Sequence, residues 1–316
     1  MRSLLMLFVL AWGVGAGSTA VAAGPNPADL LSQSKRILFI GDSNTYAGTW
    51  VAGFQAWQLT RPTVPGQTVI NTGLPSETVS GLSEDGHAGG QFPRPDVAER
   101  LTRVLDLVKP DLVFTCWGMN CGIYQPFDEG RFEKYKSGYT AVLKEIKARG
   151  AKVVILTPPY YDDAVKPLSG FKYDDVLGKY SEWLKTLVSD DVAVIDVHTP
   201  MTVEAAKRRM ADPKFTFSPD AVHPNAAGGW FVTQQIIRWA GDEKAAAAAS
   251  PEEMLKAAGI VPSTYGLVQK RMAILRDSYL TTAGHKRPGM AQGLTIAQAE
   301  RDAAELTREI NGRTGR

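Results

Sequence analysis

The sequence predicts an α/β fold: a five-stranded parallel sheet with helices on both faces, followed by a helical C-terminal extension. Three observations predict it. Five short, wholly apolar runs recur along the first 200 residues, as expected of parallel strands buried on both sides. Amphipathic stretches of helical period separate them, which is the pattern of strand–helix–strand units. Beyond about position 245 the strand pattern stops and only helical patterns continue.

The strand runs are Arg36-Ile-Leu-Phe-Ile-Gly41, Thr68-Val-Ile-Asn71, Leu112-Val-Phe-Thr-Cys116, Lys152-Val-Val-Ile-Leu156 and Val192-Ala-Val-Ile-Asp196. Helices are expected over 46–58, 96–108, 132–149, 174–188 and 225–240. Lys244-Ala-Ala-Ala-Ala-Ala-Ser250 is a low-complexity hinge. Ser250-Pro-Glu-Glu253 then supplies an N-cap, a proline at N1 and a glutamate at N3. A second tail helix is expected over 265–283, stopped by Gly284. A third begins at Thr295, where Gln298 completes a capping box, and fades before Gly312. The division is thus 1–23, 24–243 and 244–316, the last an appendage that packs on the main domain or a partner, with residues 276–290 folding back toward the cleft.

Composition narrows the function classes. The chain has 316 residues, 44% hydrophobic and 22% charged, which is globular composition; its 9% aromatics argue against disorder. With 35 basic and 33 acidic residues the net charge is +2, so a general nucleic-acid binder is excluded. Two cysteines build no disulfide scaffold, and neither has zinc-ligand spacing.

The first residues read as an export signal. Arg2 precedes the apolar run LLMLFVLAWGV, and Ala20-Val21-Ala22 is an A-x-A cleavage site, with the mature chain starting near Ala23 or Gly24. The run is short for a membrane span of about 20 residues. A secreted or periplasmic protein without stable membrane insertion is expected. In an oxidising compartment Cys116 and Cys121 are either a pair or, for Cys116, a small buried hydrophobe in a strand.

In parallel sheets chemistry collects at the carboxyl ends of the strands. Gly41-Asp42-Ser43-Asn44 stands at the end of the first run, where a serine is exposed at the sheet's edge. A serine nucleophile needs a base. His87, His198, His223 and His285 are the four histidines, and only His223 follows an aspartate, Asp220, by three residues in a turn. That spacing lets Asp220 orient one ring nitrogen while the other faces Ser43. His87 is expected to line the cleft, His198 to be a loop or core-edge residue, and His285 a solvated turn. Acyl transfer also needs donors for the developing oxyanion. Gly73, through its backbone N–H, and Asn120, through its side-chain amide, stand at two further strand ends.

Ser43, Gly73, Asn120 and His223 in these contexts resemble the four signature residues of the SGNH (GDSL) hydrolases, over residues 35–240. The resemblance implies a flavodoxin-like three-layer α/β/α sandwich and a serine esterase or acylhydrolase without metal or cofactor. It implies Ser43 as nucleophile, His223 as base, Asp220 as its orienting carboxylate, and an oxyanion hole from the Ser43 N–H, Gly73 and Asn120. Cys121 stands where the family often has aspartate, so the hydrogen bonding of that loop differs.

The strand-end loops hold no long apolar run and instead offer Trp117, Tyr124, Tyr160, Tyr161 and the pair Asp162-Asp163. Aromatics mixed with polar groups suit a sugar face, so the expected substrate is a small acyl ester, acetate above all, on a carbohydrate. The alternatives are a lipase, lysophospholipase or thioesterase, an O-acetyltransferase, and a non-catalytic binding protein.

Overall fold

A computed structural model describes residues 24–62 and 64–314; the segment read as an export signal lies outside them. In chain order the elements are α1 (Pro27–Gln33), β1 (Arg36–Gly41), α2 (Ser43–Ala47), α3 (Thr49–Gln58), β2 (Thr68–Asn71), α4 (Leu101–Val108), β3 (Leu112–Cys116), α5 (Glu129–Lys147), β4 (Lys152–Leu156), α6 (Tyr173–Lys185), β5 (Val192–Ile195), α7 (His198–Arg209) and α8 (Ala226–Trp239). The extension adds α9 (Glu243–Ala246), α10 (Pro251–Ala257), α11 (Thr264–Ala283) and α12 (Ile296–Thr314).

All strands are parallel, in the order β2-β1-β3-β4-β5. Leu38 pairs with Ile70 on one side and Val113 on the other. Because side chains alternate along a strand, the sheet feeds two cores. Ile37, Phe39, Phe114, Val154 and Ile195 pack against α3 and α8. Leu38, Ile40, Val113, Val153 and Ile155 pack against α4, α5 and α6. Buried on both faces, the strands carry the continuous apolar runs that made them recognisable.

Helix boundaries differ from expectation where tertiary contacts intervene. The helix expected over 46–58 is two, broken at Gly48, whose φ of 78° is left-handed and whose missing side chain makes room for Met272 of α11. Over 96–108 a turn of 3₁₀ helix, Val97–Glu99, precedes α4, because Arg100 leaves helical geometry to reach a buried partner. Three helices, α1, α7 and α9, stand where none was expected; α1 is a short segment capped by Asn26.

The alanine-rich segment is not a free hinge. Asp242 caps α9, Ala246 is fully buried, and the Ala246 and Ala248 carbonyls accept from Gln234 and Trp230 of α8. Met254, Leu255, Val268, Met272 and Ile310 of the extension join the core on the α3–α8 face. α11 runs against α3, α4 and the edge strand β2. The Thr295–Gln298 capping box forms as expected, with reciprocal bonds of 3.3 and 3.4 Å.

An extension that shares the core must contribute to its stability. Leu255 is fully buried, so Leu255→Ala is expected to destabilise the whole protein by about 2–5 kcal/mol. A single, cooperative urea transition at a lower midpoint is the expected observation; an unchanged midpoint would mean that α10 folds apart from the sheet.

Candidate active site

The tops of β1, β2 and β3 converge on one turn. Asp42 caps α2, its carboxylate accepting from Asn44 N–H at 3.0 Å, and Ser43 is the first helical residue. As such, its own N–H has no intrahelical acceptor. A side chain at Gly41 would collide with Thr45 and the Cys116 carbonyl. The turn can therefore pass so close to β3 only with glycine there.

Residues 218–225 bring the base to this turn. The Asp220 carboxylate accepts from the backbone N–H of Val222 and His223 at 3.0 and 2.7 Å and meets His223 Nδ1 at 2.6 Å. His223 Nε2 then lies 2.9 Å from Ser43 Oγ. Between them Ala221 adopts a left-handed backbone, φ 74°, unusual for a residue with a side chain. It is held there by bonds to Ser218 and Asp162 and by complete burial. Burial raises the Asp220 pKa, but the hydrogen bonds from the His223 and Val222 backbone and the His223 ring outweigh it and leave the carboxyl below its usual range.

Ser43 and His223 open onto a cavity of about 510 Å³, within the range of small-molecule sites. Asn120 lines it with its carboxamide fixed: Nδ2 donates to the Glu77 carbonyl at 3.1 Å and Oδ1 accepts from Tyr124 at 3.1 Å. One Nδ2 hydrogen remains for the cavity. Cys121 next to it is a free, buried thiol whose sulfur accepts from Val79 N–H.

Gly73 is the expected site residue that the structure does not bring to the cavity. Its N–H donates to Asn71 Oδ1 at 2.8 Å, and its bare Cα packs against the backbone of Thr45 and Tyr46. On the same loop Pro75 and Ser76 line the cavity, and Ser76, at φ 69°, has an N–H with no acceptor among the described residues. Nothing in its residue type marks it, because its backbone conformation arises from the loop's tertiary contacts.

Behind the cavity lies a second unforeseen feature. Glu77 and Arg100 are both almost fully buried and joined by two hydrogen bonds of 2.6 and 2.8 Å, with Trp117 Nε1 adding a third at 3.1 Å. This pair ties the loop after β2 to the start of α4, and through the Glu77 carbonyl it sets the Asn120 amide.

Of the residues expected to face a substrate, Tyr124 and Tyr161 line the cavity. Trp117 and Tyr160 are buried in the core. Asp162 is also buried, bonded to Tyr160, Thr216 and Arg209, and Asp163 accepts from the first N–H groups of α6. That pair is structural because both carboxylates are consumed by neighbouring donors. His87 lines the cavity as expected. His198 opens α7, 3.0 Å from Asp174. His285 is not a solvated turn: it is partly buried, and its Nδ1 has no partner. Among the described residues no cluster of three or more His, Cys, Asp or Glu side chains is arranged to hold a metal ion.

With the geometry in hand, comparison with known proteins is informative. Residues 39–230 match the model of the GDSL-like lipase/acylhydrolase family. No curated protein sequence matches. Among solved structures, a gut microbial diltiazem-metabolizing enzyme superposes with a TM-score of 0.52 at 17% identity. The match covers 66% of this chain and 47% of that one, so the chain spans about half its length, and the likeness shows the fold. An acetylxylan esterase of Geobacillus stearothermophilus aligns at 19% identity over 66% of this chain and 94% of that one, with a TM-score of 0.46.

Asp42 offers a pH test of the turn. Only 2% exposed, it has its pKa raised by burial from 3.8 to about 7, against the Asn44 N–H and the His223 and Arg94 charges. Between those two values the folded state holds more protons than the unfolded one, so this group's contribution to stability falls as pH rises and levels off above about 7. Asp42→Asn keeps the capping oxygen and removes the titration. The stability of the variant relative to the native chain is therefore expected to increase from pH 4 to pH 7, measured by urea unfolding across that range; a constant difference would mean that Asp42 titrates normally.

Proposed function

Because the chain belongs to the GDSL-like lipase/acylhydrolase family, whose chemistry is ester hydrolysis, we propose that it is a serine esterase removing short acyl groups, acetyl above all, from carbohydrate. The observation that carries the reading is the continuous chain of contacts from Asp220 through His223 to Ser43, at 2.6 and 2.9 Å.

In this mechanism His223 Nε2 takes the Ser43 hydroxyl proton as Oγ bonds to the ester carbonyl carbon. The carbonyl oxygen becomes an oxyanion, stabilised by the N–H groups of Ser43 and Ser76 and the Asn120 amide. His223 returns the proton to the departing alkoxide as the C–O bond breaks, leaving an acyl-serine. Water then enters, loses a proton to His223, and releases the carboxylic acid and free Ser43. Asp220 holds the ring with Nδ1 protonated and stabilises the imidazolium that forms in each half.

Cavity composition supports a short acyl group. Its aliphatic lining residues are Pro75, Leu168 and Val222, set among Ser43, Ser76, Glu84, Arg94 and Asn120. Tyr124, partly exposed and stacked on Tyr173 at 4.9 Å, supplies a rigid aromatic surface suited to a sugar ring.

With p-nitrophenyl esters from acetate to decanoate, kcat/KM is expected to be highest for acetate and to fall with chain length. Ser43→Ala should lose about three orders of magnitude or more, and Asn120→Ala about 10²–10³ in kcat. A fluorophosphonate should add one equivalent of mass to Ser43. Activity that survives Ser43→Ala, or that rises with chain length, would overturn the reading. Export is part of the proposal, since polysaccharide esters lie outside the cell. Mass spectrometry of secreted protein should find a chain beginning near Ala23 or Gly24; an intact N-terminus would refute that part.

A further inference from the structure

The rim of the cavity carries more positive charge than its own carboxylates balance. Arg94 is matched: its guanidinium forks onto Glu84 with two bonds of 2.6 Å, and Glu84 also contacts His87. Asp220 is matched by His223. Two further cations line the cavity, Lys166 from the loop after β4 and Arg287 from the extension, and among the described residues neither has a carboxylate within ion-pair distance.

Arg287 is the more telling of the two. It lies between α11 and α12, on the loop after Gly284, and its guanidinium rests over the Phe92 ring at 5.3 Å. One nitrogen, Nη1, is used locally on the Pro288 carbonyl and the Met290 sulfur. Among the described residues Nε is buried without any acceptor, and Nη2 donates to none. A guanidinium that lines the same cavity as Ser43 and keeps Nη2 unengaged has a charged donor to offer an anion there. Nearby, His87 is held below its usual pKa by burial and then by Arg94, with Arg287 adding to the effect.

We propose that the substrate is an acylated sugar bearing a carboxylate, a uronate-type unit, and that Arg287, assisted by Lys166, is the specificity-determining residue that receives that carboxylate. This rests on the esterase reading of Ser43 and names its substrate class. The ring of Tyr124 in the cavity favours a uronate over a phospholipid headgroup.

The test compares acetylated polygalacturonate with acetylated xylan, and with the same polygalacturonate after methyl esterification. The acidic polymer is expected to be the better substrate by about tenfold or more in kcat/KM, with the advantage lost on methylation and reduced by added salt. Arg287→Gln should cut the acidic-to-neutral ratio by about tenfold, mainly through KM, and Lys166→Gln by less. Equal rates on acidic and neutral polymers would overturn the proposal while leaving the esterase reading intact. If p-nitrophenyl acetate were not hydrolysed, the esterase reading would fail instead. Equilibrium binding of oligogalacturonate to the native protein and to Arg287→Gln then decides the carboxylate site by itself: binding weakened by the substitution supports it, and no binding refutes it. Hydrolysis of lysophospholipid in preference to either polymer would also overturn it.

Discussion

The structure turns on how little room exists above β1. Its last residue must let the chain reverse into α2 while β2 and β3 stand a strand's width away on either side. Gly41 fits beneath Thr45 and against Cys116 only without a side chain, and Gly73 presses on the backbone of Thr45 and Tyr46 under the same restriction. Backbone bonds finish the clamp: Asp42 N–H donates to the Cys116 carbonyl and Leu74 N–H to the Gly41 carbonyl. Ser43 is thereby fixed by β1 and its two neighbours, β2 and β3, before any side chain near it is considered. The cost is borne by Asp42, a carboxyl with almost no access to water and a pKa near neutrality.

Around that clamp the remaining parts are anchored from outside. The buried Glu77–Arg100 pair holds the loop after β2, and the Glu77 carbonyl sets Asn120. α11 holds the other side. Met272 occupies the space left by Gly48, and Arg276 donates to the Tyr46 carbonyl at 2.8 Å while its guanidinium covers the Tyr46 ring at 4.0 Å. Tyr46 is one turn beyond Ser43, so the C-terminal extension braces the nucleophile's helix directly. Core residues, helix bracing and Arg287 make it a working wall of the site.

Much of this was legible in the sequence, for identifiable reasons. Buried parallel strands read as unbroken apolar runs, so all five are found within a residue of their ends. That Ser43, Asp220 and His223 come together was readable because their positions follow from local spacing at strand ends. What escaped depends on contacts between distant segments. Gly48 breaks a helix because Met272, over two hundred positions away, needs its space. Trp117 and Tyr160 resemble surface aromatics until the core closes over them. Gly73 looked like a donor because glycine is the obvious residue for an exposed N–H, yet a neighbouring asparagine takes that hydrogen. Ser76 carries no sign in its residue type of the backbone it adopts.

The packing of α11 along β2 has a consequence beyond the cleft. β2 has a strand neighbour on one side only, and a bare parallel edge rich in β-branched residues is a template for pairing with another molecule. Natural sheets defend such edges with charges, bulges or a covering segment; here Thr68-Val-Ile-Asn71 has none of the first two and relies on the third. The defence is encoded at the opposite end of the chain from the strand it protects. During synthesis or after proteolysis the edge therefore stands open until the last helices arrive, and self-association is the characteristic hazard of an incomplete copy.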